Sequence, residues 1–132
     1  MGIIKDRFVA KATAANAEIK DLLKEHGNKK IGEVTLAQVY QGMRGITGLV
    51  TETSLLDSHE GIRFRGYSIP ELQEKLPKSA HGTEPLPEGL FYLMLLGELP
   101  TKEDVDHVSA VLQRRSHVPN HVFAAIDALP LH

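Results

Sequence analysis

The chain has 132 residues, 42% of them hydrophobic and 24% charged, with a formal net charge of −2. These values suit one soluble globular domain or a part of one, and exclude wholesale disorder. They also exclude the cationic surplus that broad binding to nucleic acid or to an anionic membrane requires. There is no Cys, which rules out disulfides, thiolate nucleophiles and Cys-based metal sites and fits an intracellular compartment. Aromatic residues make up only 5%, so the core must be aliphatic. The longest apolar run, residues 90–96, falls far short of the roughly 18 residues of a membrane span. The first residues carry no secretory signal, and Asp6 stands where myristoylation needs Ser or Thr.

In chain order, a long amphipathic helix is expected first, over residues 6–26, with its clear periodicity from Phe8. Ala12, Ala15, Ile19, Leu22 and Leu23 share one face, and Gly27-Asn28 is the stop signal. Thr35 and Gln38 form a capping-box pattern for a short helix ending near Gly42. The glycine-framed segment 42–48 follows, too flexible for helix. A β-ribbon is expected over residues 49–65. Its strands are read at residues 49–52 and 62–65, and its turn at residues 57–61. Helices then return over residues 68–128. Ser68 and Glu71 make a second capping box, with Pro70 in the first turn. Residues 78–84 read as a polar loop. Pro87 opens a helix that Gly97 closes. Thr101 caps another, with Val105, Val108, Val111 and Leu112 facing inward, and Asn120 caps the last.

The helix containing residues 90–96 is apolar on every side, so protein should surround it. Complete burial of one helix is demanding for a chain of this size. The sequence also stops at Pro130-Leu131-His132 without a polar tail. The expectation is therefore a piece of a larger, mainly helical enzyme, lacking a complete active site. A central helix of a compact bundle is the alternative.

Candidate chemistry is sparse. His117 and His121 have a chelating spacing of four, but Pro119 between them breaks the helix, so no metal site is assigned. His26 and His107 read as helix-surface residues. Asp57, Ser58 and His59 are adjacent in a turn and cannot line up as a triad. No nucleotide-binding glycine motif occurs. Arg63 and Arg65 read as a solvated strand face or as partners of Glu52 or Glu60, with a ligand-binding stripe as the alternative. Arg44, framed by Gly42, Gly45 and Gly48, admits two readings. Its guanidinium forks onto a ligand phosphate, or it pairs with a carboxylate while the glycines serve a tight corner.

These same residues carry a resemblance. The run from Gly42 to Asp57, Gly-Met-Arg-Gly-Ile-Thr-Gly-Leu-Val-Thr-Glu-Thr-Ser-Leu-Leu-Asp, resembles the start of the β-ribbon of citrate synthases. The run from Glu60 to Pro70, Glu-Gly-Ile-Arg-Phe-Arg-Gly-Tyr-Ser-Ile-Pro, is similarly specific, as is Glu84 to Phe91, Glu-Pro-Leu-Pro-Glu-Gly-Leu-Phe. The likeness runs from about Ile19 to the end and is strongest to the long, mitochondrial-like form. The resemblance implies a mainly α fold, with residues 1–132 as the N-terminal part of the large domain. It also implies an enzyme that condenses acetyl-CoA with oxaloacetate and water to citrate and CoA, without metal or cofactor, as a homodimer. Two histidines and an aspartate do the family's chemistry; none of the histidines here matches them, so no catalytic residue is assigned. Arg44 matches the arginine of the Met-Arg-Gly motif, which contributes to the CoA phosphate contacts. The departure is Ile46-Thr47, where animal relatives have Met and Lys. The resemblance further places Val122, Phe123 and Ile126 toward the dimer contacts. The compartment is the bacterial cytoplasm or the mitochondrial matrix. Two alternatives stand beside this: a 2-methylcitrate-forming relative, and a stand-alone helical interaction domain.

Overall fold

The computed structural model describes residues 2–130; the terminal Leu131 and His132, part of the chain-end expectation, lie outside the described residues. The protein is mainly helical with a small antiparallel ribbon, as expected. It divides into two compact units, one up to Gly66 and one from Tyr67 onward.

The first unit opens with α1 (Gly2–His26). The helix starts earlier than its periodicity suggested, because nothing in Gly2-Ile3-Ile4-Lys5 breaks or caps a helix. It ends where expected. The Gly27 N–H donates to the Leu23 carbonyl at 2.9 Å, and a Cβ at Gly27 would meet that oxygen at 2.3 Å. Only glycine lets the chain pass so close to its own last turn. No residue of α1 is buried. Helix α2 (Leu36–Tyr40) carries the expected capping box. The Gln38 N–H donates to the Thr35 hydroxyl, and the Thr35 N–H donates to the Gln38 side chain at 2.9 Å.

The ribbon lies within residues 49–65, but its first strand is not where residues 49–52 suggested. Strand β1 is Ser54–Asp57 and β2 is Gly61–Phe64, paired antiparallel with Ser54 opposite Phe64 and Asp57 opposite Gly61. Hairpin register is set from the turn outward. Asp57 Oδ1 accepts from the His59 and Glu60 N–H groups at 2.7 and 2.9 Å, fixing the turn beside Asp57. The ladder then ends early, because Arg65 (φ 48°) and Gly66 (φ 87°) are both left-handed. Pairing therefore stops near the Arg65 N–H to Thr53 carbonyl bond, and residues 49–52 have no strand to join.

In the second unit, a short strand β3 (Tyr67–Ser68) leads into α3 (Ile69–Lys75), whose Ser68–Glu71 capping box is present. Helix α4 (Pro87–Leu96) ends at Gly97, left-handed at φ 72°, and α5 (Lys102–Arg114) starts from the Thr101–Asp104 box. All three sequence-read ends of these helices hold, since each depends on residues within one turn.

The core of this unit is Leu72, Leu76, Tyr92, Leu93, Leu96, Val105, Val108 and Val111. Gly89 lets α4 approach closely: an added Cβ would touch Leu76, Val105 and Pro100 at 3.5–3.7 Å. Three expectations need correction. Leu112, read as inward, is 48% exposed, because α5 outlasts the shorter α4 and its last turn overhangs. Helix α4 is not enclosed on every side, since Phe91 is 49% exposed; what this corrects is the alternative of a central helix in a compact bundle, whereas a part-covered helix agrees with the expectation of a piece of a larger enzyme. Asn120 is the first residue of α6 (Asn120–Asp127) rather than its cap. Pro119 holds the cap position in extended conformation, and proline has no side-chain acceptor to offer.

Candidate functional site

Arg44 stands on a turn built by the end of α2. The Met43 N–H donates to the Gln38 carbonyl at 2.8 Å and the Gly42 N–H to the Val39 carbonyl at 3.3 Å. This is the paired closure of a Schellman motif, with Gly42 left-handed at φ 75°. Met43 is left-handed too, at φ 61°, a conformation that costs a side-chain-bearing residue roughly 1–2 kcal/mol. A second turn follows at once. The Ile46 N–H donates to the Met43 carbonyl at 3.2 Å, with Gly45 at φ 73° in the third position, the pattern of a type II turn.

Arg44 occupies the second position of that turn and is exposed. Among the described residues it makes no ion pair or hydrogen bond. The glycines therefore do serve a corner, as one reading held, but the carboxylate that this reading gave Arg44 is absent among the described residues. Gly48 needs no special conformation, and space beside it is open. Next to the turn, residues 31–34 and 45–47 line a cavity of about 220 Å³. Glu33 on its wall is paired with Lys30, and Thr47 contributes a hydroxyl.

Arg63 and Arg65 are committed. Arg63 Nε and Nη2 donate to Glu60 Oε2 at 3.2 and 3.0 Å, and Nη1 donates to the Gly66 carbonyl at 3.0 Å. Arg65 Nη1 lies 3.6 Å from Glu52 Oε2. Both pairings match the salt-bridge reading of these residues. The Asp57 carboxylate is spent on its turn. The Glu60 and His59 N–H groups hold its pKa below the usual 3.8, with a smaller contribution from Arg63. It orients no Ser58 or His59 nucleophile.

His117 lies in the loop before α6 and His121 within that helix, so the proline does separate them. His107 is not a plain surface residue. It is half-buried, and its Nε2 is enclosed without a hydrogen-bond partner, as is Glu88 Oε2. Sequence spacing gave no warning of either, because both depend on how α4 and α5 pack.

A helical chain with a short ribbon and a glycine-built arginine turn defines a class rather than an activity, and comparison with known proteins supplies the family. The family profile described as "Citrate synthase, C-terminal domain" matches residues 42–132, beginning at the first glycine of the Arg44 turn. The mitochondrial citrate synthase of Saccharomyces cerevisiae is 55% identical over 127 residues, 96% of this chain and 26% of that protein. The mitochondrial citrate synthase of Daucus carota is 58% identical over 113 residues, 86% of this chain and 24% of that protein. The mitochondrial 2-methylcitrate synthase of Yarrowia lipolytica is 53% identical over 127 residues, 96% of this chain and 27% of that protein. The chain belongs to the citrate synthase family. It spans about a quarter of the length of these relatives.

Proposed function

We propose that residues 1–132 form the N-terminal part of the large domain of a citrate-forming enzyme, which condenses acetyl-CoA with oxaloacetate and water and releases CoA. The observation that carries this is the family match over residues 42–132, with 55% identity to a citrate synthase over nearly the whole chain. Within it, Arg44 is the CoA-phosphate contact. Its guanidinium, unpaired among the described residues and carried on a hydrogen-bonded double turn, suits a charge-assisted fork onto phosphate. These 132 residues supply scaffold and that one contact, and are inactive alone. The intact enzyme needs no metal or cofactor and works as a homodimer, and the exposed Phe123 and Ile126 of α6 are half of the dimer contact. The names of the relatives favour the mitochondrial matrix over a bacterial cytoplasm. Among the described residues no helix is long and apolar enough to cross a membrane.

Two assays test this. The purified 132-residue chain should release no CoA from acetyl-CoA plus oxaloacetate; robust turnover would overturn the scaffold role. In the intact enzyme, Arg44→Ala should raise the KM for acetyl-CoA about tenfold, the loss of one charge-assisted hydrogen bond, while leaving that for oxaloacetate nearly unchanged. Equal effects on both would remove Arg44 from the CoA site. The Yarrowia lipolytica relative supports a second reading, 2-methylcitrate formation. A higher kcat/KM for propionyl-CoA than for acetyl-CoA would establish it.

A further inference from the structure

We propose that Met43 is a positioning residue that sets how tightly the Arg44 site holds the phosphate of CoA. Its strained left-handed backbone opposes closure of the double turn and so limits the share of time in which Arg44 is presented. Helix closure asks for one left-handed residue, and Gly42 supplies it. The type II turn asks for one, and Gly45 supplies that. Neither turn by itself needs Met43 at φ 61°; the joint between them does. The Met43 N–H closes the first turn on the Gln38 carbonyl at 2.8 Å. The Met43 carbonyl closes the second by accepting from the Ile46 N–H at 3.2 Å. Gln38 is itself held, because its N–H donates to the Thr35 hydroxyl in the capping box. Rotation of Met43 out of the left-handed region would break the joint and re-aim the chain after it, Arg44 first.

The balance at this joint is close. A residue with a side chain is disfavoured in the left-handed region by about five- to thirtyfold. Each hydrogen bond returns about two- to twelvefold net. The two bonds at Met43 therefore hold the closed turn by a margin on the order of tenfold or less. Packing adds nothing, since Met43 is 62% exposed and no described residue up to Gly66 is buried. A ligand that needs the closed turn binds with an affinity reduced by the fraction closed. Glycine at position 43, as at 42 and 45, would remove the strain, whereas methionine keeps it. The residue at 43 thus weakens the phosphate site, which suits a contact that must let CoA go after each turnover.

This rests on Arg44 being the CoA contact, and the test keeps the two separable. Met43→Gly, Met43→Asn and Met43→Val bracket methionine in left-handed tolerance, since Asn enters that region readily and β-branched Val hardly at all. In the intact enzyme carrying this chain, the dissociation constant for CoA is measured by calorimetry. It should fall about two- to tenfold for Met43→Gly, less for Met43→Asn, and rise about tenfold for Met43→Val. The KM for oxaloacetate should not follow this order, and in an Arg44→Ala background the series should be flat. In the 132-residue chain, hydrogen exchange at the Ile46 amide should slow for Gly and Asn and quicken for Val. A flat series where Arg44→Ala does weaken CoA binding would overturn the proposal and leave the Arg44 contact standing. So would weaker binding for Gly and Asn as well as Val, which marks a side-chain contact, or Ile46 exchange that ignores the substitutions. If Arg44→Ala leaves CoA binding unmoved, the contact itself falls and the proposal with it. Should Met43→Val fail to fold, the Gly and Asn variants decide alone.

Discussion

The two units are similar in length but opposite in how they are held together. From Tyr67 onward, aliphatic side chains of α3, α4 and α5 are buried around Leu93 and Val105, both fully enclosed. Among the described residues up to Gly66, no side chain is buried. That unit is held by local bonds: the α2 cap, the Schellman closure, the Asp57 turn and the hairpin ladder. Helical and strand geometry can thus be written by residues a few positions apart, while stability needs side chains that meet at distance. The Arg44 turn belongs to the unit with no buried side chain among the described residues, so its shape is set by local bonds.

The largest test of this contrast is core truncation. Leu93→Ala should destabilise by about 2–5 kcal/mol, read as a lower urea midpoint of the cooperative transition. Leu23→Ala in α1 should change stability by less than about 0.5 kcal/mol. Similar losses at both sites would break the comparison. A smaller effect sharpens it, because both units contain a capping box. Ser68→Ala should cost about 1 kcal/mol of global stability. Thr35→Ala should speed amide exchange within α2 and leave the midpoint unmoved, since a local opening there does not reach the core.

The smallest effect concerns acid. The Asp57 pKa is depressed in the folded state, so its contribution to stability is present above the unfolded value near 3.8. That contribution is lost as pH falls through the lower, folded value. Asp57→Asn should therefore remove a shallow acid-side loss of hairpin structure below pH 3.8. Carboxyl NMR should place the midpoint of Asp57 below that of a free aspartate. A midpoint at or above the free value would refute the turn as its cause.

Local chemistry made much of the fold legible. Thr35, Ser68, Thr101, Gly27 and Gly97 mark helix ends through bonds that span three to five residues, and each end lies where its residues put it. The Met-Arg-Gly turn was legible in part for the same reason, since Gly42 and Gly45 supply two of its three left-handed residues, Met43 being the third. The misses share a different cause. The strand over residues 49–52 had the right composition, but hairpin register, counted from Asp57 and cut off at Arg65, assigned the pairing to Ser54–Asp57. Leu112 had the right period, but α4 is too short to cover it. His107 looked like a surface residue until the packing of its helix enclosed Nε2.

Sequence alone thus determined the helical class, the caps, the Arg44 turn and the family, because each is encoded by neighbours in the chain. Tertiary structure alone decided which apolar faces are used. It buried the stripe of α5 and left that of α1 in solvent, although both stripes are written in the same helical period. The physical reason is that burial depends on a partner surface at the right distance, and a sequence pattern specifies the face without specifying what meets it.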